Sequence, residues 1–254
     1  MLKYKHSMKR ILFALLIMFP SYLYSQINWV YDFTRAQNMS IASGKLIVID
    51  FYATWCAPCK TMDKELWSQP EMERLSDSLI FLKIDIDKNR DIAAKFNIRA
   101  IPHVMVINIT DDIIWQRNGY MGGSSLYLEN FKHLPGNISQ LNEKLLPFFY
   151  KTETIEDNFE LGKAYQTLGK NQTDQGFKNI FLNLSDKQFR KVEKKNNKQS
   201  KEAELRILLN MVYDGKSEKV LSKFEKFPAD YFTEDQTDLI NHIKALCHKQ
   251  VDAK

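Results

Sequence analysis

Three cysteines in 254 residues are too few for a disulfide-stapled scaffold, and no second cysteine pair exists to complete a zinc site with Cys56 and Cys59. His242, Cys247 and His248 lie far along the chain with no cysteine pair among them. No Gly-rich phosphate loop occurs, so nothing points to a nucleotide. The apolar run Ile11 to Phe19 falls short of the roughly 20 residues that span a bilayer. A lasting excess of charge is missing too. The formal charge is +5, yet Lys3, Lys5, Lys9 and Arg10 all precede that run, and without those four, 32 bases face 31 acids. The most basic stretch that remains, Lys187 to Lys201, contains Arg190, Lys191, Lys194, Lys195 and Lys198 but only Phe189 as an interleaved aromatic. It reads as a solvated helix face or charged linker, and no nucleic-acid partner is expected.

What is present begins with an address. Cationic residues, the short apolar run, Pro20 and then small residues have the layout of a secretory signal, expected over residues 1–25. The protein is therefore expected to be exported, periplasmic or secreted, with an uncleaved N-terminal membrane anchor as the alternative. Sequons such as Asn38-Met39-Ser40 and Asn137-Ile138-Ser139 leave an endoplasmic reticulum address open for a eukaryotic source. The remaining length and 44% hydrophobic content suit two modest domains, expected at 26–151 and 152–254.

The first part carries α/β signals. Leu46 to Tyr52 is apolar without alternation, as a strand covered on both faces would be. A helix-compatible stretch from Cys59 to Ser78, broken near Gln69-Pro70, leads to a second such run, Leu79 to Ile84, which makes a βαβ unit. Asp87 to Phe96 is expected to be helical. Pro102 to Ile109 and Asp112 to Arg117 read as strands joined by a tight turn, and Asn137 to Lys151 as a closing helix. Beyond Lys151 every apolar cluster falls at helical spacing, so an all-helical region is expected. Ser185 with Gln188 and Thr233 with Gln236 have capping-box spacing, and Gly169, Gly215 and Pro228 are the expected stops. Leu161-Gly162-x-x-Tyr165 echoes part of a tetratricopeptide signature, although Asn158 stands where its Trp belongs. The echo is a hint of a repeat-like helical hairpin and no more, and Cys247, on one face with Ile240 and Ile243, reads as a buried inert thiol.

The chemistry lies in Trp55-Cys56-Ala57-Pro58-Cys59-Lys60. Two cysteines three apart can bind a metal, form an inert link, or cycle between dithiol and disulfide. A Cys-x-x-Cys that opens a helix favours the last, because unpaired N–H groups and the positive helix end stabilise a thiolate on the first sulfur. Cys56 is the expected nucleophile, with an exposed sulfur, and Cys59 the resolving thiol that attacks the mixed disulfide. Pro58 presets the backbone at the helix start. Asp50 sits inside an apolar strand, where an acid must be raised in pKa, paired or functional.

Val48-Ile-Asp-Phe-Tyr-Ala-Thr-Trp-Cys-Ala-Pro-Cys-Lys60, Phe81-Leu-Lys-Ile-Asp-Ile-Asp87 and Asn97-Ile-Arg-Ala-Ile-Pro-His-Val104 together resemble the thioredoxin family, in the family's order, over roughly residues 28–150. The resemblance implies an α/β thioredoxin-like fold, a central mixed sheet flanked by helices, here followed by the all-helical region. It implies that Pro102 is a cis-proline beside the active site and that Ile101 offers backbone groups to an extended substrate, with Trp55, Ala57 and Pro58 also facing it. It implies that Asp50 takes the proton of Cys59 and that Lys83 partners that acid. Gly119 matches a family glycine near the substrate groove, though the loop from Gly119 to Gly136 is longer than a minimal thioredoxin's. His103 departs from the commoner small residue and is a candidate for tuning substrate choice.

The expected activity is thiol:disulfide exchange on protein or small-molecule thiols and disulfides, with no cofactor beyond the Cys56–Cys59 disulfide itself. Ala57-Pro58 lacks the histidine that strong oxidants of the family carry there, which favours a reductant fed by a membrane electron donor. An oxidase or isomerase of the same fold is one alternative. The other is a redox-independent chaperone or binding scaffold whose helical region holds a protein partner.

Overall fold

The computed structural model describes residues 27–195 and 199–253, so the leader-like residues 1–25 and Lys198 of the basic stretch lie outside the described residues. Helix α1 (Phe33–Ser43) precedes the central strand β1 (Leu46–Tyr52). Helix α2 (Ala57–Met62) runs straight into a π-turn (Asp63–Trp67), and α3 (Pro70–Leu75) follows the break expected at Gln69-Pro70. Strand β2 (Leu79–Asp85), α4 (Arg90–Lys95), β3 (His103–Ile107) and β4 (Ile113–Asn118) complete the sheet, and α5 (Ser124–His133) and α6 (Ser139–Phe149) cover it. The strand order is β2-β1-β3-β4, with β1 parallel to β2 and the other two pairs antiparallel. This mixed sheet flanked by helices is the thioredoxin fold.

Both faces of β1 are buried, which is why its sequence does not alternate. Ile47, Ile49 and Phe51 face a core shared with Phe33 and Ala36 of α1, and Leu46 and Val48 face a larger one shared with Met62, Leu66, Trp67 and Phe81. Side-chain alternation therefore puts Asp50 on the second face, beneath the segment that carries the cysteines.

Local chemistry shifts several boundaries. Helix α4 starts at Arg90 rather than Asp87 because Asp85 makes a turn first: its carboxylate accepts from Asp87 N at 3.0 Å and its carbonyl from Asn89 N at 2.9 Å. Strand β3 ends at Ile107 because Asn108 Oδ1 accepts from Thr110 N and Asp112 N, at 2.9 and 3.0 Å, and folds the turn. The long loop after Gly119 contains α5, whose buried Tyr127, Leu128 and Phe131 span little more than one turn. Helix α1 also escapes an apolar-stripe reading, because its buried face includes Gln37 and Ser40.

The helical region comprises α7 (Ile155–Asn171), α8 (Gln175–Glu193), α9 (Ser200–Tyr213), α10 (Ser217–Phe224) and α11 (Thr237–Val251). Helices α7 and α8 form an antiparallel hairpin. A Cβ on Gly162 would lie 2.6 Å from the Phe189 ring, and one on Gly169 would lie 2.8 Å from Leu182, so the glycines let the helices touch. Two expectations are corrected by this packing. Gly169 does not end its helix, and Ser185 caps nothing: it is buried within α8 and donates to Gly162 O at 2.9 Å. The capping contact at Thr233 is present, with its N–H donating to Gln236 Oε1 at 3.1 Å, and α9 stops at Gly215.

Leu161, Tyr165, Phe177 and Phe181 enter the same apolar core as Val104, Val106 and Ile114 of the sheet. The Tyr165 hydroxyl sits between Asn108 Nδ2 (2.8 Å), from which it accepts, and Asp112 Oδ2 (2.9 Å), to which it donates. Lys187 reaches Asp112 at 3.3 Å. The helices thus grip the β3–β4 turn, at the end of β3 opposite Pro102. Leu205, Leu209, Val220, Ile243 and Cys247 form a separate core in α9 to α11, and burial pushes the Cys247 thiol pKa up.

Candidate functional site

Cys56 is the N-cap of α2, with extended backbone, and its Sγ accepts from the Cys59 N–H at 3.2 Å. The unpaired N–H groups at a helix start need an acceptor, and here one of them has a sulfur. Cys56 and Cys59 are joined by a disulfide, with Cα atoms 5.3 Å apart. The expectation of an exposed Cys56 sulfur is corrected: in this oxidised form each cysteine is only 3% exposed, packed with Ala53 and flanked by Tyr52, Ile86 and Ile101. Ala57 and Pro58 stand out in solvent next to it. An incoming thiolate must approach along the S–S axis, so burial of both cysteines constrains its direction.

Trp55 is the conspicuous neighbour, 66% exposed, with its indole N–H donating to Asp87 Oδ2 at 2.8 Å. Sequence reasoning placed Trp55 at the site but missed the acid that holds it. Asp87 lies 32 residues away in the turn after β2, and only the adjacency of β1 and β2 ends brings the two together.

The Ile101–Pro102 peptide is cis. Pro102 is buried, and Ile101 packs against the cysteine cluster while its own N–H and carbonyl make no backbone hydrogen bond among the described residues. Gly119 N donates to Pro102 O at 2.8 Å, and Tyr127 OH donates to Gly119 O at 3.0 Å. Gly119 has φ 75°, a left-handed conformation that a side chain would strain. The proline loop is therefore tied to the segment that presents Met121 fully to solvent. His103, next along, meets Gln116 Oε1 at 3.2 Å; burial lowers its pKa, and the Gln116 hydrogen bond offsets this in part.

Asp50, 1% exposed, lies on the face of β1 that packs against Met62, Leu66 and Trp67. It pairs in register with Lys83 across β1 and β2, and Oδ2 is 3.7 Å from Lys83 Nζ. Burial raises its pKa from 3.8 to about 7, against the lowering influence of Lys83. The Trp67 indole acts in the lowering direction as well, yet neither it nor Asp50 Oδ1 has a partner of proper hydrogen-bond geometry. Lys83 Nζ lies over the rings of Tyr52 (4.9 Å) and Trp29 (5.1 Å) and bonds directly to Asp63 Oδ1. Asp63 was not anticipated, although its position four residues after Cys59 puts both on one helix face. Burial and the nearby Asp85 raise the Tyr52 pKa.

The thioredoxin family model matches residues 32–126. Thioredoxin-1 of Drosophila yakuba is 38% identical over 78 residues, which cover 31% of this chain and 69% of that protein. The thioredoxin of Echinococcus granulosus is 38% identical over 71 residues, and Thioredoxin-T of Drosophila melanogaster 37% identical over 75, each match covering 28% of this chain. The chain spans 64% of the former and 44% of the latter, less than two thirds of either. The sheet order, the Cys56–Cys59 disulfide at a helix start and these matches agree: the chain belongs to the thioredoxin family.

Proposed function

We propose that this chain is an exported thiol:disulfide oxidoreductase that mainly reduces protein or small-molecule disulfides. The observation that carries the reading is the Cys56–Cys59 disulfide at the start of α2, with the Cys59 N–H aimed at Cys56 Sγ. In the reduced protein the same donor and helix end favour a Cys56 thiolate. That thiolate attacks one sulfur of a substrate R–S–S–R′, forms Cys56–S–S–R and expels R′–S⁻, which takes a proton from solvent. Cys59 gives its proton to a base, attacks Cys56 Sγ, closes the intramolecular disulfide and expels R–S⁻, which is protonated in turn. Two electrons leave the dithiol, and a membrane donor is the proposed source that returns them.

Asp50 is the base in this reading, and Lys83 its electrostatic partner. With a pKa of about 7 it is divided between its two forms near neutrality, which suits a group that must both take and release a proton. Trp55, Ala57, Pro58, Ile101 and Pro102 are assigned to the substrate, which would lie as an extended strand against the free backbone groups of Ile101. Export rests on the leader-like residues 1–25, and N-terminal sequencing of mature protein tests it. The division at 151/152 rests on the cysteine, Asp50 and proline motifs all preceding Lys151, with helices as the only regular elements after it among the described residues.

Purified protein should precipitate insulin chains in the presence of dithiothreitol, and Cys56→Ser should abolish this. Full activity in Cys56→Ser would end the enzymatic reading. A reduction potential well above about −200 mV would favour the oxidase or isomerase instead. Client binding undiminished with both cysteines replaced by serine would favour the scaffold.

A further inference from the structure

Lys83 is placed oddly for a simple partner of Asp50. A buried carboxylate gains more from an ammonium than an exposed one does, because water screens less there. Yet Lys83 Nζ bonds to Asp63, whose side chain is 41% exposed, and stands 3.7 Å from Asp50 Oδ2. Asp50 Oδ1 has no hydrogen-bond donor among the described residues. The groups that act on Asp50 come from every side: Lys83 from β2, Asp63 and the Trp67 indole from the π-turn, Tyr52 from β1 and Tyr127 from α5.

We propose that Asp63 is a positioning residue for proton transfer: by bonding the Lys83 ammonium it holds that charge off Asp50 and leaves the buried carboxylate a stronger base. The inference rests on the reductase reading, since it concerns the step Cys59–SH + Asp50–COO⁻ to Cys59–S⁻ + Asp50–COOH, in which a proton moves and no electron does. Both actions of Asp63 have one sign. Its own charge raises the Asp50 pKa, and its hold on Lys83 weakens the influence that lowers it. Its side chain is 41% exposed, and it opens the π-turn that follows the helix carrying Cys59.

The test follows the Asp50 side-chain carboxyl of the oxidised full chain by ¹³C NMR across pH, which needs no substrate. In Asp63→Asn the midpoint should fall by about one pH unit or more, the size expected when an opposite charge moves closer and a like charge is removed. Asp63→Glu should restore the wild-type midpoint. In Asp63→Asn the acidic limb of the insulin-reduction profile should move down with the midpoint, and on a Lys83→Met background the effect of Asp63→Asn on that midpoint should shrink. An unchanged midpoint in folded Asp63→Asn overturns the proposal, as does a full-sized shift without Lys83, which would leave Asp63 acting by its own charge alone. Wild-type protein inactive on insulin, with the NMR shift present, would overturn the reductase reading while the coupling stood.

Discussion

Replacing Asp50 with Asn should make the protein more stable, and only above mild acidity. The carboxyl titrates near 3.8 when unfolded and at about 7 when buried in the folded chain. Between those values the folded state holds a proton that the unfolded state has lost, so stability falls as pH rises through that window. At about 1.4 kcal/mol per pH unit, the native state gives up about 4 kcal/mol between pH 4 and pH 8. Asn cannot ionise, so the variant is spared this loss. Its other differences, such as a neutral amide in place of the carboxyl beside the Trp67 indole, do not vary with pH and appear as a constant offset. The measurement is denaturant unfolding of the oxidised wild type and Asp50→Asn at pH 4 and pH 8. The stability difference should shift in favour of Asn by about 4 kcal/mol between the two, or roughly 8 to 16 °C in Tm for a chain of this size. A difference that stays flat with pH would mean that Asp50 ionises at little cost, and the reasoning about burial would fail.

Two further variants test the packing of the helical region. Gly162→Ala gains about 1 kcal/mol of helix propensity. It also drives a methyl to 2.6 Å from the fully buried Phe189 ring, so thermal unfolding should show a net loss of about 1 kcal/mol or more. Tyr165→Phe removes a buried hydroxyl from both Asn108 and Asp112, and chemical denaturation should register a loss of about 1 to 3 kcal/mol, with insulin reduction unchanged because that turn is remote from Pro102.

What the residues disclosed on their own follows from short-range physics. Unbroken apolar runs marked β1 and β2, because strands covered on both faces cannot alternate. The Cys-x-x-Cys with its proline marked a helix start, and Asp50 stood out as an acid with no solvent to ionise into. Helical spacing after Lys151 was legible for the same reason: 3.6-residue periodicity is written locally. Helices α1 and α5 were not, since the first buries Gln37 and Ser40 and the second is too short to show a stripe.

Tertiary structure alone decided the partners. Asp87 holds Trp55 from 32 residues away, Asp63 bonds Lys83 while Asp50 stands 3.7 Å from the same ammonium, and Tyr165 joins the β3–β4 turn across 57 and 53 residues. It also turned Gly169 and Ser185 from apparent helix punctuation into points of close contact between α7 and α8, and covered the cysteines more closely than their helix-end position suggests. The reason is common to all of these. A residue's own neighbours in sequence set its backbone preference and its chemistry, whereas burial, and which charge stands opposite which, depend on surfaces that meet only after the chain has folded.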